Sequence, residues 1–150
     1  MRLISASVQI DAPPGQVYDR VADFARFHEW NPFVVRATGR AAPGSRLRLA
    51  FRLPVSGKEM EFTPKVLVAD RGRQLQWLGR FMVPGVFDGL HGFTFEERDG
   101  GTFVVQSERF SGVLVPFTGS VVRQALQGFE ELNRALKLRV ESGEGAVNLR

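Results

Sequence analysis

The sequence predicts an α+β fold: a curved antiparallel sheet of about seven strands, two short helices after the first strand, and a long C-terminal helix over the concave face. Three observations carry this reading. Residues 2–10 alternate apolar and polar, the same two-residue period returns between turn signals through the middle of the chain, and residues 118–142 switch to a three-to-four-residue period. A sheet that is dry on one face needs a cover, and residues 118–142 are the segment able to supply it.

In the first strand Ile4, Ala6, Val8 and Ile10 share one face, and Leu3, Ser5, Ser7 and Gln9 the other. It ends at Asp11-Ala12-Pro13-Pro14, where Asp11 is a candidate helix cap and Pro14 suits a first helical turn, which needs no N–H from it. Val17, Tyr18, Val21, Ala22 and Phe24 then recur at helical spacing, and a second short turn, ARFHEW, stops at Asn31-Pro32. The signals Ala42-Pro43-Gly44, Ser56-Gly57-Lys58, Arg71-Gly72 and Asp99-Gly100-Gly101 punctuate a meander of strands. Leu47, Leu49, Phe51 and Leu53 share one face, as do Met60, Phe62, Val66 and Val68 in the next candidate strand, and Leu75, Trp77, Gly79 and Phe81 in a third. In the last segment Val122, Leu126, Phe129, Leu132, Leu136 and Val140 form an apolar stripe, with charged residues between them and Thr118 or Ser120 as the expected cap. Such a helix reaches roughly 35 Å, enough to cross the sheet.

The 150 residues fit one domain, read as residues 1–142 with a flexible tail at 143–150. There is no cysteine, which excludes disulfides, thiolate nucleophiles and cysteine-based metal centres. The opening MRLISASVQI lacks the charged and apolar regions of an export signal, so a cytoplasmic protein is expected. The net charge of +4 raises the question of a polyanionic partner, but the arginines lie singly along the chain and no nucleic-acid motif accompanies them. No nucleic acid is expected. His28 and His91 are the two histidines, with no carboxylate cluster beside them, and no glycine-rich phosphate loop or Gly-x-Ser-x-Gly elbow occurs. Neither a metal nor a cofactor is expected.

Three local features, in this order, carry a resemblance: Ile10-x-Ala12-Pro13-Pro14-x-x-Val17-Tyr18, then Asp23-Phe24 followed by Trp30-Asn31-Pro32, and a late Gly101-Thr102 strand leading into the amphipathic helix. Over nearly the whole chain the pattern resembles the START/birch-pollen-allergen superfamily and its bacterial polyketide-cyclase/dehydrase-like (SRPBCC) branch. The resemblance implies a helix-grip fold with a deep cavity between sheet and helix. It also implies an apolar occupant such as a lipid, polyketide or aromatic, and in some members cyclase or aromatase activity. A chain of this kind is expected as a monomer or homodimer.

A curved sheet bridged by a straight helix touches it at the edges and parts from it in the middle. The residues expected to line that gap are Trp30, Phe51, Phe62, Trp77, Phe81, Phe93, Phe110 and Phe129, with Gly79, Gly89 or Gly128 opening room beside them. Polar positions within apolar faces are more informative, because an unpaired buried polar group costs about 1–3 kcal/mol. His91 shares a face with Phe93 and Phe95, and Gln106 and Glu108 share one with Val104 and Phe110, although Phe103 and Val105 make the opposite face apolar too. His91, Gln106 and Glu108 are therefore expected on one concave wall. His91 and Glu108 suit an acid/base pair for cyclisation or dehydration; the preferred reading, since no catalytic motif accompanies them, is that they pair with each other, with Gln106 or with Arg109 as satisfied groups in a binding wall. Binding or carriage of a hydrophobic molecule is the leading expectation, with a cyclase/dehydratase second and lipid transfer at a membrane third. The apolar segments 83–87 and 114–117 are read as a lid first and a dimer contact second.

Overall fold

A computed structural model of the chain describes residues 1–81 and 83–143, with the side chain of Phe81 outside the description. The end of the expected tail, residues 144–150, also lies outside the described residues. Strand β1 (Arg2–Ile10) leads into helix α1 (Pro14–Ala22) and a 3-10 turn (Phe24–Glu29). Strands β2 (Val34–Thr38), β3 (Arg48–Arg52), β4 (Glu59–Phe62), β5 (Lys65–Asp70), β6 (Gln74–Phe81), β7 (Phe87–Arg98) and β8 (Gly101–Ser111) follow. A short 3-10 turn (Val115–Phe117) then hands the chain to α2 (Gly119–Ser142).

Among the described residues the strands form two antiparallel sheets, one in the order β1-β8-β7-β6-β5 and one in the order β2-β3-β4. Where alternation reads Met60, Phe62, Val66 and Val68 as one strand, the structure has two in different sheets. Pro64 lies between them; it has no N–H to donate, and its carbonyl accepts from Leu47 N at 2.8 Å. That bond, with Val66 N donating to Ser45 O at 2.9 Å, stitches the sheets into one curved wall. At the β7–β8 hairpin Asp99 (φ 53°) and Gly100 (φ 77°) both take the left-handed conformation that a tight two-residue turn requires. That turn sets His91 opposite Glu108 and Phe93 opposite Gln106.

Helix α2 starts at one of its two expected cap residues, whereas α1 does not start at Asp11. Pro13, not Asp11, holds the cap position of α1, with Pro14 in its first turn. Asp11 instead offers its backbone N–H to Glu141 at 2.9 Å. Thr118 holds the cap position of α2, but its hydroxyl donates to Val115 O at 2.9 Å in the preceding turn and makes no capping hydrogen bond to the helix. The C-terminus closes at Gly143 (φ 66°), whose N–H bonds Val140 O.

Helix α2 buries Val122, Ala125, Phe129, Leu132, Leu136 and Val140 against the large sheet. Gly128 lets the ring of Phe33 lie flush on the helix backbone; a Cβ there would collide with that ring. Further along, Arg139 donates to Glu29 and ties α2 to the first 3-10 turn. This bond holds the Glu29 carboxyl below the usual carboxylate range, with Arg26 adding to the effect.

Candidate functional site

Between the two sheets and the first half of α2 lies a cavity of about 650 Å³, its open mouth included. Its wall is formed by Phe33, Phe51, Leu53, Met60, Phe62, Pro64, Trp77, Gly79, Phe87, Gly89, His91, Glu108, Phe110, Val121 and Ala125. The rings brace one another edge to face: Phe33 on Phe51 at 5.2 Å between centroids and Phe51 on Phe62 at 5.5 Å. Phe87 stacks on Phe110 at 5.5 Å. Such ring pairs add roughly 0.5–1.5 kcal/mol each beyond area burial, so the wall is preformed rather than assembled around an occupant.

Polarity enters this space at a single row. His91 is buried among aromatic rings, 4.8 Å from Trp77, 4.9 Å from Phe129 and 5.2 Å from Phe93. Its Nε2 lies 3.0 Å from Gln106 Oε1, and Gln106 Nε2 donates to Asn133 Oδ1 at 2.9 Å and to the Phe129 carbonyl at 3.4 Å. Its Nδ1 lies 3.2 Å from Glu108 Oε1, an ion-pair approach that falls short of a well-aligned hydrogen bond. The Glu108 side chain keeps 16% of its surface exposed, against 2% for His91. Within the row, then, His91 and Glu108 both line the cavity, and Glu108 is the more open to it. Its other oxygen lies over Gly89, where any Cβ would collide with it.

Of the residues expected to line the gap, Phe51, Phe62, Trp77, His91, Glu108 and Phe110 do so. Phe93, Phe129 and Gln106 do not: they are fully buried behind His91 and hold its ring in place. Trp30 is also corrected. It packs on Phe27 at 5.4 Å, away from the cavity, because Asn31 Oδ1 accepts from Phe33 N and Val34 N and turns the chain there. Phe81 has its side chain outside the description. Arg109 is exposed on the other face of β8 and does not pair with Glu108. Gly79 and Gly89 open room, whereas the space beside Gly128 is filled by Phe33.

Sequence reasoning missed Phe33, Leu53, Met60, Pro64, Phe87, Val121 and Ala125 as lining residues. The last two sit on α2 one position before Val122 and Leu126, so the cavity faces the edge of the apolar stripe, and the small Ala125 and Gly128 beside large neighbours were the available signal. Phe87 belongs to the segment expected as a lid. That segment is tied to its partner, with Val113 N donating to Gly85 O and Leu114 N to Val86 O, both at 3.0 Å. Phe87 and Val115 turn inward, while Val83, Val113 and Phe117 stay exposed.

Residues 1–141 match the family described as polyketide cyclase / dehydrase and lipid transport. Among solved structures, TTHA0849 from Thermus thermophilus is similar, with a TM-score of 0.75, 21% identity, and 95% of this chain and 99% of that one covered. A START superfamily protein from Mycobacterium smegmatis is similar at a TM-score of 0.73 and 22% identity, covering 93% and 97%. The di-domain ARO/CYC BexL from the BE-7585A biosynthetic pathway is similar at 0.67 and 20% identity, covering 91% of this chain and 50% of that one. These likenesses establish the helix-grip fold. No curated protein shows significant similarity to the sequence.

Proposed function

The chain belongs to the polyketide cyclase / dehydrase and lipid transport family, and from that premise we propose that it binds or carries a hydrophobic small molecule, a lipid, polyketide or aromatic, in the cavity between its sheets and α2. The observation that carries this reading is the wall itself: a braced ring of aromatic side chains around a space interrupted by one carboxylate–imidazole row. An apolar molecule entering it exchanges water for aromatic contact, worth roughly 25 cal/mol for each Å² buried before ordering costs. A ligand at about 100 times its dissociation constant stabilises the fold by about 2.7 kcal/mol. Native mass spectrometry of the freshly purified chain, with a thermal-shift series of fatty acids and polycyclic aromatics, is the test. A retained or added ligand mass with a raised melting temperature supports the reading; a clean apo mass and no thermal response to any apolar compound overturns it.

A second reading, cyclisation or dehydration of a polyketide-like substrate, is favoured by the position of Glu108, which meets the cavity with His91 behind it. In this reading Glu108 exchanges the proton with the substrate and His91 supports it. A change to Gln removes that proton exchange and lowers turnover by about 10²–10⁴ if the reaction occurs. A third reading, transfer at a membrane, draws on the exposed Val83, Val113 and Phe117 and is checked by salt-sensitive binding to anionic vesicles.

A further inference from the structure

Resting on the reading of the cavity as a ligand site, we infer that its occupant presents a hydrogen-bond donor, a phenol or alcohol hydroxyl, to Glu108 Oε2. Gln106 and Asn133 are the positioning residues that make this oxygen an obligate acceptor.

The argument starts at the Phe129 carbonyl, which can only accept. Gln106 must therefore turn its amide nitrogen toward it, and that nitrogen also donates to Asn133 Oδ1 at 2.9 Å. Gln106 Oε1 is left as an acceptor facing His91 Nε2 at 3.0 Å, so Nε2 carries a proton. The other ring nitrogen, Nδ1, faces Glu108 Oε1 at 3.2 Å. A bare Nδ1 lone pair against an anionic oxygen at that distance, in an apolar pocket, is repulsive, so one proton lies between them. It belongs either to Oε1 of a neutral carboxyl or to Nδ1 of an imidazolium.

In both arrangements Oε2 has no proton. It lies over the bare backbone of Gly89, and among the described residues no protein group donates to it. Gly79 faces Gly89 across β6 and β7, so no side chain fills the space above it. A ligand hydroxyl completes this acceptor. A ligand carboxylate sets oxygen against oxygen, and an ether or ketone leaves Oε2 without a partner. His91 has Nε2 bonded to Gln106 and Nδ1 turned toward Glu108 Oε1, so it acts on the occupant through Glu108.

The test uses the full chain and three compounds of one shape: 2-naphthol, 2-methoxynaphthalene and 2-naphthoate, titrated by calorimetry. We expect 2-naphthol to bind at least about 10-fold more tightly than the ether, with the naphthoate weakest, the ratio expected for one hydrogen bond to a buried acceptor. Glu108→Gln should keep the preference, because its amide N–H can donate to Nδ1 while its oxygen still faces the cavity. Glu108→Leu should reduce the difference to about 2-fold or less, as expected when the acceptor is gone. Equal binding of naphthol and ether, or tighter naphthoate, overturns the inference and leaves the cavity reading standing; no binding by any compound overturns the cavity reading itself. The positioning role has its own readout, since only two histidines are present. In the ¹⁵N spectrum His91 should carry its proton on Nε2. A spectrum with the proton on Nδ1 and a bare Nε2 contradicts it.

Discussion

Gly89 lacks a side chain where Glu108 needs one to be missing. Any Cβ at this position would meet the carboxylate, which is the far end of a flexible side chain and can swing away at little cost to the fold. Gly89→Ala is therefore expected to stay within about 1 kcal/mol of wild-type stability by chemical denaturation while losing the preference for hydroxyl-bearing ligands. A variant that keeps that preference would show that Glu108 does not sit where the account places it. His91, Gln106 and Glu108 were legible as inward-facing because strand alternation has a period of two. Their ranks were not legible. Which of the three meets open space depends on Phe93 and Phe129 closing around His91, and on the Asp99-Gly100 turn setting the register across β7 and β8.

At the scale of elements, α2 was readable as a stripe, and its rotation about its own axis was not. The contact that sets it is Phe33 against Gly128, across a distance no local pattern encodes. Gly128→Ala would gain about 1 kcal/mol of helix propensity, but overpacking against a buried ring costs roughly 1–3 kcal/mol, so the net effect should be destabilising. Combining it with Phe33→Leu should recover the gain: the double variant is expected to be about 0.5–1 kcal/mol more stable than Phe33→Leu alone. Equilibrium unfolding of the four proteins in this cycle checks it, and a stabilised Gly128→Ala single variant would refute the packing. The division of the meander into two sheets was likewise hidden, because Phe62, Pro64 and Val66 keep the same alternation across the break.

At the scale of the molecule, the fold class was legible because it follows from the order of periods along the chain. What the order does not contain is how the layers are fastened. Glu29 is held below the ordinary carboxyl value of 4.5 by Arg139, Glu59 by Arg52 and Arg36, and Glu141 by Lys137 and the Asp11 amide. Each lowered carboxyl adds stability that is fully present above its unfolded value and is lost as pH falls through its folded value. The melting temperature should therefore fall as pH drops below 4.5, more steeply in wild type than in Glu29→Gln. Identical profiles for the two proteins would remove the Glu29–Arg139 pair from the account. These groups lie at the surface, so added salt should shrink the effect.

The central claim, a hydrophobic occupant seated between sheet and helix, is tested most directly at the two tryptophan indoles. Trp77 lines the cavity and Trp30 packs outside it against Phe27. A ¹H–¹⁵N titration of the full chain with 2-naphthol, the indole peaks assigned with Trp30→Phe, should move the Trp77 peak saturably and leave the Trp30 peak in place. A Trp77 peak that stays fixed, or a shift confined to Trp30, would contradict the account.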